Sequence, residues 1–163
     1  MEEEYKVIEG FNNYAVSNLG NVKNIKTGRI LKSWDNTDGY LILDFKMNGK
    51  RKSAKIHRLV AEAFIPNPEN KECVDHIDRV RNNNNVNNLR WATKSENSIN
   101  KKIQSNNTSG FSGVIYCKTK MKWLVSININ KKRKHVGYYM TFDEAIKVRK
   151  EQEDIYYKEF KAI

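Results

Sequence analysis

Asp75, His76 and Asn97 are the residues of this sequence best equipped for chemistry. An imidazole with an ordinary pKa of about 6.5 can take a proton from water at neutral pH. A carboxylate and a carboxamide offer the hard oxygen donors that a divalent cation such as Mg2+ or Mn2+ prefers. Set among basic side chains, the three suit hydrolysis of a phosphodiester at one metal ion. Asp75 and Asn97 lie 22 residues apart, so the fold has to bring them together.

Local patterns say how. Cys73-Val-Asp-His76 and Leu89-Arg-Trp91 read as two short strands that can pair. Between them, six asparagines fill seven positions from Asn82 to Asn88, interrupted only by Val86. Asparagine amides compete with the backbone for hydrogen bonds, so this stretch reads as a loop, with Asn82 to Asn85 as loop formers. Thr93-Lys-Ser-Glu96 is a capping box that opens a short helix and puts Asn97 in its first or second turn. Upstream, Ile56, Leu59, Val60 and Ala63 keep helical spacing, and Pro66 and Pro68 stop that helix. His57 on this helix reads as structural. His135 follows a basic turn and reads as a phosphate contact or a solvated residue.

The chain has 163 residues, with 39% hydrophobic content and 30 Lys+Arg against 19 Asp+Glu, a net charge of +11. Residues 10–142 hold 24 basic and 9 acidic side chains, and the remainder is net acidic. So positive a middle, interleaved with aromatics, points to a polyanion and above all to nucleic acid. No apolar run approaches a membrane span, and the N-terminus MEEEYK is acidic where a signal peptide would be basic. Cys73 and Cys117 are far apart and read as reduced, apolar packers. A cytoplasmic protein is expected, the host cytoplasm if a phage or intron encodes it.

The motifs in order, Val74-Asp-His-Ile-Asp78, Asn88-Leu-Arg-Trp91 and Ser95-Glu-Asn97, resemble those of HNH endonucleases of the phage and intron-encoded homing type. His57-Arg-Leu-Val-Ala-Glu-Ala-Phe-Ile-Pro-Asn-Pro68 is similar to the same subgroup. The resemblance implies a ββα-metal site with one divalent ion, Mg2+ or Mn2+. It makes His76 the general base, Asp75 and Asn97 the metal ligands, and Asn88 the asparagine that bonds across the loop to fix the base. The family pattern usually has Gly-Asn after Asp-His-Ile-Asp, where this chain has Arg79-Val80. A different turn is expected there, because a glycine's conformational freedom is lost.

The flanks carry resemblances too. Val16-Ser-Asn-Leu-Gly-Asn-Val22, Gly28-Arg-Ile-Leu-Lys32 and Asp38-Gly-Tyr40 resemble the nuclease-associated DNA-binding module that precedes HNH sites. Ser109-Gly-Phe-Ser-Gly-Val114, Lys122-Trp123, Val136-Gly137, Thr141-Phe142 and Glu144-Ala145 resemble an Apetala-type DNA-binding domain. That domain implies a three-stranded antiparallel sheet on one helix, with the sheet in the major groove. The residues agree: Trp123, Val125, Ile127 and Ile129 alternate with polar positions, and Thr141-x-x-Glu144 caps a closing helix that carries most of the acids. Where plant members place guanine-reading arginines, this chain has Ser112, Ile115, Cys117 and Asn128.

The expectation is an α+β protein in three parts: a small β-rich module over 1–52, the HNH motif over 53–104 and the sheet-and-helix domain over 105–163. Double-stranded DNA is the expected partner, met by a monomer or a dimer, with no membrane and no small-molecule cofactor. In the first part the expected contacts are Lys50, Arg51 and Lys52, at a hairpin turned by Asn48-Gly49. In the second they are Lys55, Arg58 and Arg90. In the third they are Lys118, Lys120, Lys122 and Trp123, with Lys131, Lys132, Arg133 and Lys134 at a basic turn. The activity expected is metal-dependent cleavage of duplex DNA, one strand at a time. A DNA-binding regulator that keeps the fold without cutting is the alternative, and an RNA-directed nuclease a third reading.

Overall fold

The structure is a computed structural model that describes residues 2–47, 50–100, 103, 105–129 and 131–160. It is α+β, with small antiparallel sheets, three helices among the described residues, and two compact units, residues 1–94 and 95–163.

The first unit opens with a meander of β1 (Tyr5–Val7), β2 (Tyr14–Ser17) and β3 (Val22–Asn24). A second sheet has the order β4 (Trp34–Asp35), β5 (Leu41–Met47), β6 (Lys50–Lys55). Asparagines shape the turn after β3 and the turn between β4 and β5. The Asn24 carboxamide accepts from the N–H groups of Lys26 and Thr27, and that of Asn36 from Asp38 and Tyr40. Met47 pairs with Lys50, and the turn expected at Asn48-Gly49 lies outside the described residues.

β6 runs directly into helix α1 (Ile56–Phe64). Its stripe of Ile56, Leu59, Val60 and Ala61 is buried against Val16, Val22, Leu43 and Phe45 from the two sheets and Val74 and Leu89 from the following hairpin. Each large apolar side chain so buried contributes about 1.5–3 kcal/mol. The division expected at residue 52 therefore falls inside β6, and the residues on either side of it pack on one core. The helix ends as the prolines require, with Ile65 extended and its N–H on the Ala61 carbonyl. β7 (Cys73–His76) and β8 (Leu89–Ala92) then pair antiparallel, joined by the asparagine-rich loop.

Helix α2 (Lys94–Ile99) follows Thr93 and leads into the second unit. There β9 (Val114–Cys117), β10 (Lys122–Ile129) and β11 (Lys132–Tyr139) form a sheet of order β11-β10-β9. Helix α3 (Phe142–Tyr156) covers one face, capped where Thr141 Oγ1 accepts from the Glu144 N–H at 3.2 Å. Val114, Val125 and Ala145 centre this smaller core, with Phe111, Trp123, Val136, Tyr139 and Phe142 packed on it.

Candidate functional site

The β7–β8 hairpin sets Asp75 directly opposite Arg90 and His76 opposite Leu89. Asp75 and His76 are each 5% exposed. Arg90 Nε and Nη2 both donate to Asp75 Oδ2, at 2.9 and 2.7 Å. A carboxylate so enclosed needs that cation, because an unpaired buried charge is costly. Arg90, expected on a DNA surface, is spent instead on orienting Asp75, and its side chain is 15% exposed.

His76 Nε2 lies 3.2 Å from Asn84 Oδ1, in a buried contact. The Asn84 amide is turned this way because its Nδ2 donates to the Asn82 carbonyl at 3.3 Å. A carboxamide oxygen can only accept, so Nε2 carries the proton and Nδ1 holds the lone pair of the neutral ring. Burial lowers the pKa of His76 from its ordinary value, and nearby Arg81 acts the same way. Asn84, Asp78 and Asp75 act in the opposite sense.

Asn88 closes the loop that carries His76. Its Nδ2 donates to Asp78 Oδ1 at 2.9 Å and to the Asn83 carbonyl at 2.8 Å, while its Oδ1 accepts from the Asp78 N–H at 3.0 Å. Its backbone carbonyl takes the Ile77 N–H. Burial opposes ionisation of Asp78, yet the Val80 N–H and the amides of Asn83 and Asn88 hold its carboxyl below the usual range. Arg79 occupies φ 63°, a left-handed conformation at the position where the family pattern has glycine.

Two rings back the histidine. His57 packs edge-on to His76 with centroids 5.1 Å apart, and Tyr40 lies 4.8 Å from His57 and 6.0 Å from His76. His57 is 5% exposed, and burial first, then His76, Lys55 and Arg58, push its pKa down to about 3. It is a neutral ring whose Nδ1 has no hydrogen-bond partner among the described residues. Arg81 reaches back from the asparagine loop to the Asp38 carbonyl, with its guanidinium 5.0 Å from the Tyr40 ring.

Asn97, the remaining candidate ligand, lies on α2 in the second unit. Carboxylate and carboxamide oxygens suit a hard cation, and Arg90 fixes how Asp75 presents its own. Among the described residues no three His, Cys, Asp or Glu side chains cluster to hold a metal ion. By residue type Asp75 and Asn97 can each give an oxygen to such an ion, and a donor set with one carboxylate has to be completed by water or by substrate oxygens.

The expected DNA contacts divide by environment. Arg51 pairs with Asp44 at 2.7 Å but keeps its side chain 80% exposed. Lys52 sits over the Phe11 ring and Lys55 over Tyr40. Arg58 pairs with Glu62 and donates to the Glu72 carbonyl, while the Lys50 side chain lies outside what the structure describes. In the second unit the sheet face away from α3 carries Ile115, Leu124 and Tyr138 in adjacent register, with Lys120 Nζ 3.9 Å from the Tyr138 ring. Arg133 Nε donates to Ser126 Oγ at 3.0 Å. Lys118, Lys131 and Lys132 are exposed, and Lys122 is half-buried. Trp123 and Lys134 face the other way: Trp123 stacks on Phe142 at 4.5 Å, and Lys134 donates to the Tyr156 hydroxyl.

Sequence reasoning overlooked Asn84, Tyr40 and Arg81. All three belong to polar turns whose composition reports only a turn, and long-range pairing alone gives them a role. The one local sign was Asp38-Gly39-Tyr40, already notable as a motif.

Comparison with known proteins places these elements. A family of HNH endonucleases matches residues 54–99, and the NUMOD4 motif matches residues 3–46. The chain is 50% identical over 93 residues to an uncharacterised HNH endonuclease, L247, of Acanthamoeba polyphaga mimivirus, covering 55% of this chain and 23% of that one. It is 42% identical over 95 residues to the DNA endonuclease I-HmuI of Bacillus phage SP01, covering 58% and 55%. A solved structure concerned with DNA binding and cleavage by the HNH homing endonuclease I-HmuI matches with TM-score 0.56 and 29% identity, over 93% of this chain and 88% of that one. The aligned sequence stretch thus spans little more than half of I-HmuI and a quarter or less of L247.

Proposed function

Because the chain carries an HNH endonuclease domain over residues 54–99 behind a NUMOD4 motif over residues 3–46, we propose that it binds duplex DNA and hydrolyses its phosphodiester bonds, cutting one strand at a time. The observation that carries the reading is His76: a buried, neutral imidazole held at Nε2 by Asn84, beside an Arg90-anchored Asp75, within the matched domain.

In this mechanism His76 Nδ1 takes a proton from a water aligned with the scissile phosphorus, and Asn84 keeps the proton of the resting ring at Nε2. Asn88 holds the loop at Asp78, so the base does not swing away as DNA arrives. The ligands proposed for a divalent ion, Mg2+ or Mn2+, are Asp75 and Asn97. Bound there, it would neutralise the phosphate and stabilise the leaving 3′ oxygen. The N-terminal meander and the C-terminal sheet face away from α3 are each proposed to add contacts to the DNA backbone, raising the effective concentration of each weak contact.

The test is conversion of supercoiled plasmid to open circle by the purified chain with Mg2+ or Mn2+. Nicking by wild type, its loss in His76→Ala and its loss in excess chelator are expected. A His76→Ala chain as fast as wild type would remove the base from the mechanism, and undiminished nicking in chelator would remove the metal.

A further inference from the structure

Several basic side chains of residues 1–94 are paired with acids: Arg90 with Asp75, Arg58 with Glu62, Arg51 with Asp44 and Lys94 with Glu72. Lys55 and Arg81 are not. Among the described residues neither forms an ion pair, yet both converge on one ring. Lys55 Nζ lies 4.7 Å from the Tyr40 centroid and Arg81 Cζ 5.0 Å from it, so the two charges are no further apart than the sum of those distances. Of the carboxylates around His76, Asp78 is engaged by Asn83 and Asn88, and Asp75 by Arg90.

Two like charges gathered at one aromatic ring repel each other, and an anion that meets both relieves that repulsion. Arg81 is also held in place rather than left to rotamer freedom. The Asp38 carbonyl holds Arg81, and Tyr40 is itself wedged against His57, 6.0 Å from the His76 ring. His57 stays neutral in its buried place and adds no third charge.

We propose that Lys55 and Arg81, seated on Tyr40, bind a backbone phosphate of the DNA next to the cut, and that this seat sets the strand in register with His76. The N-terminal module thereby supplies, through Asp38 and Tyr40, part of the site of the nuclease motif. The inference rests on the endonuclease reading. The ligand is a phosphodiester oxygen pair, which arginine meets through its fork and lysine as a point charge.

The experiment measures nicking of supercoiled plasmid by the full chain with Mn2+, together with binding to a 30-base-pair duplex at several salt concentrations. Its variants are Arg81→Gln, Lys55→Gln and, as an equal charge change on α3, Lys147→Gln. Arg81→Gln and Lys55→Gln should each slow nicking about tenfold, and each should flatten the slope of log affinity against log salt by about 0.9 for the lost contact. Lys147→Gln should match wild type in both. If wild type nicks and Arg81→Gln and Lys55→Gln keep its rate and its salt slope, the phosphate seat is wrong while the endonuclease stands. Losses as large in Lys147→Gln would reduce the effect to net charge and overturn the seat equally. A wild type that nicks no DNA overturns the endonuclease reading, and the seat with it. Should one variant fail to fold, the other decides alone, because each cation is a separate half of the seat.

Discussion

Asn84 Oδ1 meets His76 Nε2 at 3.2 Å inside the protein, and this pairing decides which nitrogen of the proposed base can accept a proton. Asn84→Leu keeps the side-chain volume close but strands a buried N–H, costing about 1–3 kcal/mol. It also frees the ring to take the other tautomer. Nicking should fall about 10–100-fold, the scale on which orienting partners of a reactive histidine act. Asn84→Asp, which still accepts at the same place, should keep most of the rate. Single-turnover rates decide it, and Asn84→Leu at the wild-type rate would remove the orienting role.

Arg90 and Asp75 make a second pairing, 2.7 Å at its shortest. Arg90→Met should leave a buried carboxylate without its cation and cost about 3–5 kcal/mol. Adding Asp75→Asn to Arg90→Met should restore part of that loss, since the stranded charge goes with it. Urea unfolding of the single and double variants measures both. An Arg90→Met chain within about 0.5 kcal/mol of wild type would mean that the pair is solvated and the burial overstated.

His57 makes stability depend on pH. Its folded pKa is about 3, against an ordinary value of 6.5. Between those values the unfolded chain binds a proton that the folded chain refuses. Stability contributed by the neutral ring is therefore whole above pH 6.5 and declines as pH falls toward 3, by up to about 1.4 kcal/mol per unit. His57→Phe keeps a ring against Tyr40 and His76 but removes the titration. Unfolding at pH 7 and pH 4.5 should show a smaller acid loss in His57→Phe than in wild type, and equal losses would contradict the burial of this imidazole.

What could be read from the sequence was what depends on neighbours along the chain. The stripe Ile56, Leu59, Val60 gave α1, the prolines its end, and Thr141-x-x-Glu144 the start of α3, because periodicity and caps are local. The β7–β8 hairpin around Asp75 and His76 was legible for the same reason. Trp123 shows a clue overlooked: it shares strand parity with Val125 and Ile127, so it had to face α3 with them rather than a duplex. Arg90 was illegible in another way, since only the register of β7 on β8 turns its charge inward to Asp75. Asn84, Tyr40 and Arg81 depend on where polar turns land after folding, and composition does not report that. The core that β5 and β6 share with α1 likewise merges two motifs that read as separate along the chain.

Gly20 tests how firmly the N-terminal module supports the base. It sits at φ +90°, and a Cβ there would meet Asn84 Cβ at 2.9 Å and Ile56 Cγ2 at 3.5 Å. The same turn holds the asparagine loop through the Val86 N–H on the Asn18 carbonyl at 2.8 Å. Gly20→Ala therefore does two things: it strains the backbone by about 1–2 kcal/mol, and it pushes on the residue that orients His76. Gly10→Ala separates them, because Gly10 shares the conformation at φ +74° but has nothing within 4 Å of its added methyl. Both variants should lose similar backbone stability in thermal unfolding, whereas only Gly20→Ala should slow nicking, by about tenfold as its orienting partner shifts. Equal rates in the two would disconnect Asn84 from the strands that precede it, and the N-terminal module would then serve the site only by binding DNA.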